Sequence, residues 1–290
     1  MNPRITVIGS INMDIVTHVG ELPSQGETVF GEKYFMTPGG KGANQAVASA
    51  RLGGKVSFIG KIGNDSLGEK LIKNFRDHGI HTEGIDRTDG SPTGMANVIL
   101  QNNDNRIIVV SGANKEVTVE YVQRYKEILL DSDIVLTQLE IPISTVEWCA
   151  EFCNKHSIPL IINPAPAQEL SKSLIENCKY LTPNEEEYVK ILSTSSSTEQ
   201  FINKFITTLG SRGASFLENI VPAPFVKAKD TTGAGDTFNG ALAYFLGAGY
   251  EINTALELSN IAASYTVEQL GAQTGMPTLE QVQNRKIPSR

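Results

Sequence analysis

The sequence predicts an α/β protein: a three-layer αβα sandwich around a mostly parallel sheet, with a small antiparallel β lid. Three observations predict it. Short apolar runs of strand length alternate with capped helical patterns along most of the chain, the signature of a parallel sheet covered on both faces. Glycine-rich turns fall where apolar runs end and helices begin. Two segments, 28–36 and 95–110, read as antiparallel strands outside any strand–helix–strand unit.

The elements follow in order. Residues 5–8 (ITVI) are the first strand, running into Gly9. Residues 42–52 (GANQAVASARL) carry a helical pattern closed by Gly53 and Gly54. A strand at 56–59 and a helix at 67–78, stopped by Gly79, come next. In the middle, 134–139 is a strand and 144–156 a helix, with Ser144 as N-cap and Glu147 completing a capping box. Residues 159–162 are a strand, 180–181 lead into TPNEEE and another helix, and 205–209 form a strand ending in GSRG. Helices are expected over 237–246 and 255–267. The second lid pair turns at Asn102-Asn103-Asp104-Asn105, and STSSST at 193–198 is a polar loop. These accessory strands read either as a lid over a site or as an edge hairpin without function. No repeat is visible, so one domain is expected over 1–290, with lid strands near 11–36 and 94–112.

Composition narrows the function. With 25 Lys and Arg against 32 Asp and Glu, the formal charge is −7, which argues against nucleic acid or an anionic membrane as the main partner. A bound anion therefore needs local backbone donors. Cys149, Cys153 and Cys178 are too few for a disulfide framework, and no CxxC or HExxH motif occurs, so buried free thiols are expected. MNPRITVIGSINMD has too short an apolar run for a secretory leader, and Asp14 interrupts it. No stretch approaches the roughly 18 apolar residues of a membrane span, and a reducing cytoplasmic compartment is expected.

The segment 230–240, DTTGAGDTFNG, carries the strongest chemical signal. Gly233, Ala234 and Gly235 allow close backbone approach, and the helix starting near Asp236 points free N–H groups at that turn. Asp236 is placed to take a proton from a hydroxyl attacking a phosphoryl group held there. Read alone, Asp236 is equally a helix-capping acid. Neither GxxxxGK[ST] nor GxGxxG is present. A second cluster, Gly39-Gly40-Lys41-Gly42-Ala43-Asn44, presents donors suited to a polyol. Asn12 and Asp14 add to it, although by themselves they also read as a turn pair. Glu140 follows a strand at its carboxyl end, where ligands collect in open α/β sheets.

In these residues the chain resembles the ribokinase-like family of carbohydrate kinases. Eight blocks carry the resemblance in order: GSINMD (9–14), GGKGANQAV (39–47), QLE (138–140), NPAPA (163–167), TPNEEE (182–187), TLGSRG (208–213), DTTGAGDTFNG (230–240) and GAQTGMP (271–277). The resemblance implies ATP-dependent phosphorylation of D-ribose at its 5-hydroxyl, with a kinase for 2-deoxyribose or another pentose, or a sugar-binding regulator without turnover, as alternatives. It implies Asp236 as base and Gly233, Ala234, Gly235 and Asp236 as the anion hole. Asn12, Met13, Asp14, Gly40, Lys41, Gly42, Ala43, Asn44 and Glu140 would hold the sugar. Asn184 and Glu187 would organise Mg²⁺ and phosphates through water. Thr208, Leu209, Gly210, Ser211, Arg212 and Gly213 would line the ATP site with Gly235, and Asn260 would lie near the adenine. A monovalent cation, K⁺, would be held by Asp230, Thr232, Thr266, Gln269, Gly271 and Gly275. The family also pairs its lids into a homodimer. Two departures stand out: Gly275 replaces a small hydroxyl residue, and the segment between Gly213 and Asp230 is short.

Overall fold

In the computed structural model, which describes residues 2–101, 104–194 and 198–285, the chain starts with β1 (Arg4–Ile8) and leaves the central sheet at once. β2 (Asn12–Val19) and β3 (Gly31–Gly39) run out and back, and α1 (Lys41–Arg51) returns the chain to β4 (Lys55–Gly63). α2 (Ser66–Asp77) and β5 (His81–Thr88) follow, then β6 (Gly94–Gln101) and β7 (Asp104–Val110). Short α3 (Val119–Gln123) and α4 (Lys126–Leu130) precede β8 (Ile134–Gln138), α5 (Ile143–Lys155), β9 (Leu160–Asn163), α6 (Lys172–Asn177) and β10 (Tyr180–Leu181). α7 (Glu185–Thr194) leads to β11 (Ile206–Thr208), β12 (Ala214–Phe216) and β13 (Asn219–Val221). α8 (Ala234–Gly247), α9 (Ile252–Thr266) and α10 (Leu279–Asn284) complete the described chain.

The central sheet has the order β10-β9-β8-β1-β4-β5, and every pairing in it is parallel. Strand alternation divides its apolar side chains between two cores. Ile5 and Val7 of β1 join Ile134 and Leu136 of β8 under α1, α2, α8 and α9, while Ile8 and Val135 pack with α3 to α6 on the other face. That is the predicted three-layer sandwich. From β1 the chain builds one edge through β4 and β5, then crosses to build the other from β8 outward. The carboxyl ends of β1 and β8 therefore flank the switch point, where such sheets open a crevice.

The accessory strands form a second sheet in the order β3-β2-β6-β7. Its outer pairings are antiparallel, while β2 and β6 run parallel because α1, β4, α2 and β5 intervene between the two hairpins. Asn12 and Asp14 lie on β2, so they are strand residues rather than a turn pair. The β6–β7 register runs to Gln101 opposite Asp104; Asn102 and Asn103 of the expected turn lie outside the described residues, as do residues 195–197 of the polar loop. The strand expected at 205–209 opens a small antiparallel sheet, β11-β12-β13, joined to the central one by bridges Leu181–Phe205 and Asn184–Thr208. Between β12 and β13 the chain spends only Leu217 and Glu218, so the short segment before Asp230 is a trimmed hairpin.

The expected capping box at Ser144 is absent. Pro142 occupies the N-cap of α5 with φ −54°, and no side chain caps the helix. A residue whose ring pre-sets φ and which lacks an N–H starts the helix earlier, leaving Ser144 inside the first turn. A capping box does occur on α10, between Thr278 and Gln281.

Candidate active site

Gly233 is the N-cap of α8 at φ 78°, and a Cβ there would lie 2.7 Å from both Cα and O of Ala272. Only glycine takes this left-handed, tightly packed position without strain. The turn folds the Ala234 amide onto the Thr231 carbonyl at 3.2 Å. The amides of Gly235 and Asp236 meet no acceptor among the described residues, and the space above Gly235 is open. Of the four residues expected to form the anion hole, these two carry its free helical donors.

Asp236 sits half-buried in the first turn of α8. Its Oδ2 accepts from Nδ2 of Asn44 at 2.9 Å and its Oδ1 from Nε2 of Gln45 at 3.1 Å. Both donors come from α1. Burial pushes the Asp236 carboxyl above the usual range, Glu140 adds to the push, and Lys41, Asn44 and Gln45 pull it back. Gly233 is the N-cap of α8 and no side chain caps the helix, so Asp236 is not its capping acid.

The polyol cluster gathers around it. Glu140 Oε2 accepts from Ser10 Oγ at 2.5 Å and from the Lys41 amide at 3.1 Å. Burial raises the Asp14 pKa to about 7, with Glu140 and Asp236 as neighbouring negative charges. Burial opposes the charge on Lys41, but Asp236, Glu140, Glu187 and Asp14 outweigh it and hold its pKa above the ordinary value. Asn12 and Asp14 share one face of β2 by strand alternation; Met13 points the other way into the core, which leaves it only backbone to offer a ligand. Ala43 is likewise core, and Gly42 packs against the Ser10 amide, where a Cβ would lie at 2.7 Å.

A cleft of about 570 Å³ opens from this cluster toward α7 and β11. Lys41, Asn184, Glu187, Thr208, Leu209, Gly210, Gly233, Gly235 and Asp236 all line it. Asn184 and Glu187 exchange hydrogen bonds: each backbone amide donates to the other's side chain at 2.8 Å. Burial raises the Glu187 pKa. Ser211 is exposed outside the cleft lining, Arg212 pairs with Glu185 at 2.5 Å, and Gly213 turns the chain into β12. Asn260 is buried on α9 and donates to the Val221 carbonyl at 2.8 Å.

The expected cation ligands fall in one loop region. Asp230 accepts from the amides of Thr232 and Gly271, both at 2.9 Å, which holds its pKa low against burial. Thr266 Oγ1 lies 2.8 Å from Thr237 Oγ1, and the Gln269 amide donates to the Thr266 carbonyl at 3.2 Å. A Cβ on Gly275 would sit 2.7 Å from that carbonyl, so the glycine lets the loop close. Among the described residues no cluster of three His, Cys, Asp or Glu forms a metal cage.

Several polar residues at the site were not singled out in the sequence. Ser10, Gln45, Asn114, Gln138, Asn163 and Gln273 all bond within the cluster. Asn114 clamps both backbone groups of Ile11 and donates to Asn12 Oδ1 at 2.7 Å. All of these residues except Asn114 lie in the eight blocks of the resemblance, but only their buried partners mark them.

Comparison with known proteins matches this arrangement. The model of the pfkB family carbohydrate kinases matches residues 2–279. A ribokinase of Lactococcus lactis is 42% identical over 287 residues, covering 96% of this chain and 95% of the relative. A deoxyribokinase of Salmonella typhi is 34% identical, covering 96% of each. The solved structure of Arabidopsis thaliana ribokinase complexed with ribose and ATP superposes with a TM-score of 0.89 at 31% identity, covering 98% of each chain. With the family model spanning nearly the whole chain, and Asp236, Gly235 and Lys41 lining one cleft, the chain belongs to the pfkB family of carbohydrate kinases.

Proposed function

We propose that this enzyme transfers the terminal phosphoryl group of ATP to the 5-hydroxyl of D-ribose, giving D-ribose 5-phosphate and ADP. The observation that carries the reading is Asp236, bonded at both oxygens by Asn44 and Gln45 beside the free amides of Gly235 and Asp236. Ribose hydroxyls bond to Asn12, Asp14, Lys41, Asn44 and Glu140 and to the backbone at Gly40, which sets the 5-hydroxyl against Asp236. Asp236 takes the hydroxyl proton as the phosphoryl group arrives, and the two amides receive its oxygens. Lys41 balances part of the growing negative charge. The nucleotide lies along Thr208, Leu209 and Gly210, with its adenine toward Asn260.

Mg²⁺, which neutralises nucleotide phosphates when bound, keeps several waters and needs no all-protein cage, so Asn184 and Glu187 in the cleft wall suit it as holders of that water. K⁺ would be held by oxygens of the Asp230, Thr232, Thr266, Gln269, Gly271 and Gly275 region, the ligands a hard cation prefers. Gly275 lies against the Thr266 carbonyl, and that oxygen would stand in for the missing hydroxyl if it faces the cation.

The lid exposes Tyr34, Met36, Ile108 and Val110 on one face and Phe35, Ile107 and Val109 on the other, apolar surface suited to a second copy of the lid in a homodimer. No helix among the described residues is long and apolar enough to cross a membrane, and the three cysteines are free and buried, in keeping with a cytoplasmic enzyme.

The deoxyribokinase relative keeps 2-deoxyribose as a second reading. A site built to bond a hydroxyl strongly penalises its absence, so the two sugars separate cleanly. ADP release with Mg-ATP should give a higher kcat/KM for ribose than for 2-deoxyribose; the reverse order overturns the assignment.

A further inference from the structure

We propose that Gln45 is a positioning residue for phosphoryl transfer, keeping the Asp236 carboxylate ionised and aimed, and that Gln138 and Asn163 dictate which end of the Gln45 amide faces it. The inference rests on the reading of Asp236 as base. A carboxamide is nearly symmetric in shape, so its partners alone decide where its nitrogen points. Gln45 Nε2 has two hydrogens: one reaches Asp236 Oδ1 and the other Asn163 Oδ1, each at 3.1 Å. Gln45 Oε1 accepts from Gln138 Nε2 at 2.6 Å. Asn163 is oriented in turn by donating to the Thr182 carbonyl at 3.2 Å. Reversing Gln45 would set its oxygen against a carboxylate and an amide oxygen, and its nitrogen against the nitrogen of Gln138.

The fold brings these groups together from three directions. Gln138 and Asn163 are register partners at the carboxyl ends of β8 and β9, Gln45 descends from α1, and Asp236 opens α8. Gln45 and Gln138 are fully buried. The far end of the run shows its polarity: Gln138 Oε1 is buried with no hydrogen-bond partner among the described residues. Buried polar groups in structural networks are ordinarily satisfied. An orphan oxygen at the end remote from the carboxylate is what remains when Gln138 and Gln45 in series each turn the nitrogen toward the charge. Neutral amides stabilise the ionised carboxylate without cancelling its charge or competing for its proton. The Gln45 bond also opposes the upward push of burial on Asp236.

The test is the pH profile of the single-turnover phosphoryl-transfer rate, with ribose and Mg-ATP, in Gln45→Met, in Gln138→Met and in each combined with Asp236→Asn. Losing a donor to the ionised form should move the acidic limb of Gln45→Met to higher pH. Its rate at neutral pH should fall about tenfold, the size of one hydrogen bond to a charged group. The KM for ribose should change less than about twofold, since the effect lies in the transfer step. Gln138→Met should shift the limb the same way by less, and neither change should matter further once Asp236 is Asn. An unmoved limb, or equal losses in both backgrounds, overturns the proposal by leaving Gln45 a purely structural role. Should Gln45→Met fail to unfold cooperatively, Gln138→Met decides alone, and a wild-type limb there overturns it. Full rate in Asp236→Asn would instead overturn the base reading, a separate failure.

Discussion

Asn44 is held at both ends of its amide: Nδ2 donates to Asp236 Oδ2 at 2.9 Å, and Oδ1 accepts from Gln273 Nε2, also at 2.9 Å. Gln273 is anchored in turn by Nδ2 of Asn74 on α2 at 3.1 Å. Asp236, Asn44 and the loop after α9 therefore belong to one hydrogen-bonded chain, so displacement of any member is felt at Asp236.

The first prediction concerns that carboxylate. Asp236→Asn should lower kcat by about 10²–10⁴, the usual share of a general base, while ribose still binds. The new amide must face one of the two amide donors with its own N–H₂, which should also cost about 1–3 kcal/mol locally. Steady-state turnover paired with calorimetric ribose binding checks both; near-normal turnover removes Asp236 from the mechanism.

Sugar binding should depend on pH through Asp14. Burial, with Glu140 and Asp236 nearby, raises its pKa to about 7 in the sugar-free enzyme. Only the ionised carboxylate accepts from two hydroxyls, so the proton must leave on binding. Ribose affinity should therefore weaken as pH falls below about 7, by up to tenfold per unit, and level off above it. For the free protein the sign is opposite: the folded state binds this proton more tightly than the unfolded one, so this group's contribution to stability declines as pH rises from its unfolded pKa toward 7. Calorimetric titration from about pH 6 to 8 reads the binding effect; a flat affinity would remove Asp14 as the group responsible.

Gly233→Ala should damage both stability and rate. The residue sits at φ 78°, and its Cβ would press on the Ala272 backbone at 2.7 Å. The left-handed conformation alone costs about 1–2 kcal/mol, and the contact adds to it. Relief of the clash must shift the amides of the first α8 turn, so kcat should fall along with the denaturation midpoint. A variant of unchanged stability and kcat would show that the turn tolerates displacement.

The lid gives a prediction about assembly. Ile108 is 59% exposed on β7 within the apolar strip. Ile108→Lys should convert a micromolar dimer to monomer in sedimentation while leaving the fold intact, because a charge cannot be buried unpaired at the contact. A monomeric parent protein would count against lid pairing.

Much of this protein was legible from local pattern. The alternation of ITVI and its later counterparts with helical stretches was enough for the layered sheet, because period-two and period-3.6 burial are written in neighbouring residues. The glycine turn that opens α8 was legible for the same reason: glycines, helix start and carboxylate are contiguous in DTTGAGD. Tertiary structure alone decided the rest. Asn12 and Asp14 suited a turn until pairing with β3 and β6 made them a strand, which also sent Met13 to the core. The amides of Gln45, Gln138, Asn44 and Gln273 acquire meaning only from partners 93 to 229 residues away. A hydrogen bond over such a separation depends on how layers stack and which rotamers that stacking permits, and no spacing along the chain encodes it.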